Sequence, residues 1–113
     1  MLTDEYRYKI LRLLEENPQL SQRDLAERLG ISLGKANYCL QALIERGLVK
    51  ARNFRNSQNR STYLYLLTRK GFSEKTRSAT RFLQIKMAEY ETLRREIELL
   101  QREHARQQET PGR

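Results

Sequence analysis

Asn37 and Gln41 each carry an amide, a paired hydrogen-bond donor and acceptor that matches the edge of adenine in the DNA major groove, and four residues between them is one turn of a helix. Just ahead of them, Ser32-Leu33-Gly34-Lys35 forms the first turn of the same segment. There the backbone N–H groups and the positive end of the helix dipole favour an anion, so Ser32, Gly34 and Lys35 are candidates to hold phosphate. Leu33 and Tyr38 share the outward face with Asn37 and Gln41, and either can touch a thymine methyl or a sugar. The alternative is a plain solvated helix face, with Gly34 a tolerated neutral residue and Tyr38 packing at the rim of the first helix. A second group follows further along the chain. Lys50 and Arg52 alternate with Val49 and Ala51, so they share one strand face as phosphate clamps or as solubilising charges, and Arg55, Asn59 and Arg60 border a polar run suited to a minor groove.

Other chemistries lack their residues. A single Cys39 and a single His104 exclude an internal disulfide and a zinc site of four Cys/His ligands. There is no Gly-rich phosphate loop, no Ser/His/Asp set and no His-Glu metal helix, so neither an enzyme nor a cofactor protein is expected. Cys39 is read as semi-buried filler, because a redox-sensing thiol needs exposure and a lowered pKa.

The charge distribution agrees with an anionic partner. The 113 residues hold 22 Lys and Arg against 14 Asp and Glu, a net charge of +8, with 38% hydrophobic and 32% charged residues. Acids and bases nearly cancel over residues 1–45, whereas residues 46–73 contain Arg46, Lys50, Arg52, Arg55, Arg60, Arg69 and Lys70 and no acid. A polyanion fits that segment, although charge alone equally describes a solvated surface. No apolar run is long enough for a membrane span, and the acidic start is unlike a signal peptide, so a cytoplasmic protein with no membrane partner is expected.

These residues need elements to position them. Tyr6, Ile10, Leu13 and Leu14 recur at helical spacing between a Thr3 or Asp4 cap and Pro18. Ser21 and Asp24 read as a capping box for a short helix carrying Leu25, Ala26 and Leu29 and stopped by Gly30. Ser32 caps a third helix whose inward positions are Ala36, Leu40, Leu43 and Ile44, with Gly47 as its stop. The period then falls to two. Leu48–Phe54 and Thr62–Leu67 predict a hairpin around the run Arg55–Ser61. From a Thr68 cap to about Gln108 the chain predicts one helix of roughly 55 Å. Its heptads place Leu83, Tyr90, Ile97 and His104 at one seam position and Ala79, Lys86, Leu93 and Leu100 at the other, with Glu89 and Arg94 flanking. Leu83, Tyr90, Leu93, Ile97 and Leu100 are therefore the expected homodimer interface. Folding back on the chain's own domain through Phe72, Phe82 and Met87 is the alternative, and both can hold.

The expected fold class is mainly α with a small β-hairpin: a winged helix-turn-helix over residues 1–70, a long coiled-coil-like dimerisation helix over 71–108 and a flexible tail over 109–113. The stretch LSQRDLAERLGISLGKANYCLQALIERGLVKARNF, with LTDEYRYKILRLLEENP before it, resembles the DNA-binding domain of MarR-type bacterial transcriptional regulators. It is most similar to the short subgroup associated with exopolysaccharide biosynthesis loci. The resemblance implies a bacterial, nucleoid-associated homodimer that binds double-stranded DNA at a roughly palindromic promoter site. It also implies an Asp-Arg pair near the wing tip, where this chain has Asn59-Arg60, so the family's buttressing acid is replaced. Many relatives bind small effectors, but those are longer at the N-terminus, and no conventional effector pocket is expected. A winged-helix module for protein interaction or RNA, or a nonspecific architectural DNA binder, are the competing readings.

Overall fold

A computed structural model describes residues 2–55 and 61–109 and, among these, every side chain but those of residues 54, 55, 61, 62 and 109. The order is α1 (Asp4–Glu16), α2 (Gln22–Leu29), α3 (Leu33–Glu45), β1 (Val49–Arg55), β2 (Ser61–Leu67) and α4 (Arg69–Glu109). Mainly helical with one antiparallel hairpin, this is the expected fold class. Each of the first three helices begins at a hydroxyl cap. Thr3 Oγ1 accepts the Tyr6 N–H at 3.2 Å, Ser21 and Asp24 exchange two bonds of 3.0 Å, and Ser32 Oγ accepts the Lys35 N–H at 3.1 Å. Gly30 and Gly47 take φ of 67° and 73°, the left-handed turn that lets the backbone leave α2 and α3 sharply.

The core closes between these helices and the root of the hairpin. Ile10, Leu11 and Leu14 of α1 meet Leu25 of α2, Cys39, Leu40 and Leu43 of α3, and Leu48, Val49 and Tyr65 of the hairpin. Four positions differ from the sequence reading. Leu11 is wholly buried and Leu13 only partly, because the core meets α1 on the Ile10–Leu11–Leu14 side. Cys39 is wholly buried rather than semi-buried, since it lies beside Leu40 and Leu43 on the α3 stripe, while Ile44 at the edge of that stripe is half-buried.

The hairpin pairs Val49 with Leu67 and Arg52 with Leu64. The Tyr65 N–H bonds the Pro18 carbonyl at 3.0 Å and the Thr68 N–H bonds the Leu48 carbonyl at 3.1 Å, so the strands are tied to the helices at both sides. The start of α4 approaches the same carbonyl so closely that a Cβ on Gly71 would overlap it.

The chain divides into two compact units, Met1–Phe82 and Leu83–Arg113. Within the first, the Phe82 ring lies 6.1 Å from that of Tyr8, while Phe72 stays 47% exposed. Arg7 bonds Asp4 and Glu74, and Arg81 bonds the same two carboxylates, at 2.8–3.3 Å. In the second unit, Leu83, Tyr90, Leu93, Ile97 and Leu100, along with Met87, are all exposed.

Candidate nucleic-acid interface

The stripe that anchors α3 also decides what α3 offers. Ala36, Cys39, Leu40 and Leu43 are buried, which turns Leu33, Gly34, Lys35, Asn37, Tyr38 and Gln41 outward, and all six are exposed. Leu33 and Tyr38 are 45% and 56% exposed, large apolar surfaces left uncovered among the described residues. Tyr38 therefore presents its ring to solvent rather than packing against α1. The cap Ser32 is exposed as well, and α3 carries no acid in its first turn, so the positive end of the helix is unopposed.

Lys35 has a partner that no local pattern predicts. Its ammonium sits 4.5 Å from the centroid of the Tyr6 ring, a cation–π contact from the first helix to the first turn of the third. A residue on one element thus orients a cation on another. The sequence signal for Tyr6 was helical spacing, which marked it as packing.

In β1, Lys50 and Arg52 are exposed and stand opposite Leu66 and Leu64 across the hairpin, so these four share one face, away from buried Val49. Arg55 ends β1, but its side chain, like Asn59 and Arg60 entirely, lies outside the described residues. Several charges elsewhere in the first unit are paired within it, as in the Arg7–Asp4–Glu74–Arg81 group and between Lys75 and Glu15. Lys35, Lys50 and Arg52 make no salt bridge among the described residues and remain available to an external anion.

Residues 3–50 match the family model for a winged helix-turn-helix DNA-binding domain. The match takes in the three helices and the start of β1. In a winged helix-turn-helix fold α3 has the position of the recognition helix and the β1–β2 hairpin that of the wing. Solved structures of the same fold include a ZitR variant from Lactococcus lactis, at 25% identity over 92% of this chain and 72% of that one, with a TM-score of 0.60. The PcaV transcriptional regulator from Streptomyces coelicolor, solved with its natural ligand, shares 24% identity over 88% and 72%, with a TM-score of 0.61. A PadR-like transcriptional regulator from Bacillus cereus shares 15% over 77% and 89%, with a TM-score of 0.67, a likeness of fold alone. No curated protein sequence matches the chain.

The remaining chemistry of the winged-helix domain is sparse. Burial lifts the Cys39 thiol above its ordinary range, and the charge of Lys35 offsets this only in part, so the thiolate needed for redox or nucleophilic work is disfavoured. Among the described residues, no group of three or more His, Cys, Asp or Glu is placed to hold a metal ion, and no helix is long and apolar enough to cross a membrane.

Proposed function

We propose that this chain is a sequence-specific transcriptional regulator that binds double-stranded DNA as a homodimer. Two recognition helices enter successive major grooves of a roughly two-fold-symmetric promoter site, about one turn of DNA apart. Asn37 and Gln41 read bases, Lys35 with Ser32 and Gly34 holds phosphate at the helix start, and Leu33 and Tyr38 contact the groove wall. Lys50 and Arg52 clamp the flanking backbone, and the wing residues Arg55, Asn59 and Arg60 follow it toward the minor groove. The dimer forms through α4, with Leu83, Tyr90, Leu93, Ile97 and Leu100 at its interface.

The observation that carries this reading is the outward face of α3. Two amides one turn apart, a cation at the helix start and no acid in the first turn suit base reading, whereas an interaction module would present there an acidic face, or an apolar one without these polar groups around Leu33 and Tyr38. The match of residues 3–50 to a winged helix-turn-helix DNA-binding model supports the same role. The resemblance to the exopolysaccharide-associated MarR subgroup directs the search for targets toward exopolysaccharide biosynthesis genes.

Selection of sheared genomic DNA from the source organism by the purified chain, at fixed near-physiological salt, tests the proposal. A recurrent inverted repeat upstream of a few genes is the expected result. Uniform recovery would replace sequence reading with architectural binding, and no recovery would favour the interaction module.

A further inference from the structure

The seam of α4 has two unlike flanks. On one side lie Glu89, Glu96 and Glu103, each a residue before a Leu83-type position; on the other lie Met87, Arg94 and Gln101, each four residues after one. Between them Leu83, Tyr90, Leu93, Ile97 and Leu100 are 44–62% exposed, an apolar strip left uncovered among the described residues.

The flanks determine which way a second copy can lie. In an antiparallel pair each flank faces the same flank of its partner, which sets three glutamates against three glutamates. In a parallel pair each flank faces the opposite one. Glu89 then meets the partner's Arg94, and Glu96 meets the partner's Gln101, each twice by symmetry.

Contacts within the chain do not remove this bias. Lys86 pairs with Glu89 at 3.1 Å, and Arg94 with Glu91 and Glu98 at 3.7 and 3.4 Å, all exposed pairs three or four residues apart that exchange readily. Glu96 and Glu103 make no salt bridge among the described residues, so their mutual repulsion in an antiparallel pair would stand. The Lys86–Glu89 bond also draws the one seam lysine toward the flank, which lets its stem cover the strip while the ammonium stays wet.

We propose that residues 83–104 pair with a second copy of this chain as a parallel two-stranded coiled coil. The proposal rests on the homodimer put forward under the proposed function and adds its orientation. Chain connectivity then joins both Met1–Phe82 units to the seam at the same end, so one dimer presents both recognition helices to a single stretch of DNA.

The test uses the full chain with Lys86→Cys or Leu100→Cys, both at exposed positions, oxidised in a glutathione buffer and read on a non-reducing gel; Cys39 is wholly buried. Each variant alone is expected to form a disulfide dimer, well above an outward-facing Glu98→Cys control. Cross-linking that appears only when Lys86→Cys is mixed with Ile97→Cys would overturn the parallel reading, because the layers of an antiparallel pair set one seam position against the other and bring 86 opposite 97 in the register that also sets Tyr90 against Leu93. Failure of Lys86→Cys and Leu100→Cys, alone and mixed with Ile97→Cys, would overturn it too. Sedimentation equilibrium of the unaltered chain separates the two levels: a monomer removes the homodimer itself, whereas a dimer with antiparallel cross-links removes its orientation alone.

Discussion

Ile10, Leu11, Leu25, Leu40 and Leu43 in the first unit are wholly buried, whereas Leu83, Leu93 and Leu100 in the second are more than half exposed. Both sets follow helical spacing. What separates them is the number of elements that converge: three helices and a hairpin enclose the first set, while the second lies exposed on one helix among the described residues. A periodic apolar stripe therefore states that a helix will bury a face and leaves open against what. The stability of residues 1–82 is intramolecular; any burial along residues 83–109 depends on association, and so on concentration.

Core truncation draws the contrast most strongly. Leu40→Ala should lower the unfolding free energy by about 2–5 kcal/mol, while Leu93→Ala should leave dilute-solution unfolding unchanged and raise the concentration needed for the proposed dimerisation. Equal losses in a denaturant titration would erase the distinction. Two glycines repeat it on a smaller scale. Gly71→Ala drives a methyl into the Leu48 carbonyl and should cost about 1–3 kcal/mol. A Cβ at Gly34 meets nothing within 4 Å, so Gly34→Ala should leave the free fold as stable or more so and weaken DNA binding if the backbone there approaches phosphate.

On the outward face of α3 the effects should appear in binding and not in folding. Asn37→Ala and Gln41→Ala are each expected to remove about 1–3 kcal/mol of discrimination between a selected site and random DNA, leaving random-DNA affinity nearly unchanged. Parallel losses on both DNAs, measured by titration, would strike these two from base reading. Lys35→Ala should reduce the slope of log affinity against log salt by about one. Tyr6→Leu should weaken binding by about 0.5–1 kcal/mol across all sequences, and Tyr6→Phe, which keeps the ring, should restore it.

The smallest effect concerns the start of α2. The Ser21 backbone N–H, and then its hydroxyl, hold the Asp24 carboxyl below its ordinary value. A depressed folded pKa contributes stability above the unfolded value, and that contribution disappears as pH falls through the folded one. Thermal unfolding of Asp24→Asn should therefore differ from the parent at neutral pH and converge with it in acid; a constant difference across that range would assign the loss to something other than the carboxylate.

How far each feature was readable in advance follows the distance between the residues that make it. The caps at Thr3, Ser21 and Ser32, the glycine stops and the change of period after Gly47 involve groups a few residues apart, so the order of residues encodes them. The outward face of α3 followed from its inward stripe by the same helical arithmetic. Where several apolar residues competed for one face, that arithmetic was insufficient: Leu13 and Leu11 both suit a helix, and the approach of α2, α3 and the hairpin selected Leu11.

The residues of α3 that face outward, and the elements that carry them, were thus determined by the sequence itself, because helix caps, left-handed glycines and apolar periodicity act within one or two turns. The tertiary structure alone decided that Tyr6 holds Lys35, that Arg7 and Arg81 share Asp4 and Glu74, and that Gly71 must lack a side chain beside Leu48. Each of these joins groups far apart in the chain, and such pairs meet only when packing brings their elements within a few ångströms, a condition that no local propensity contains.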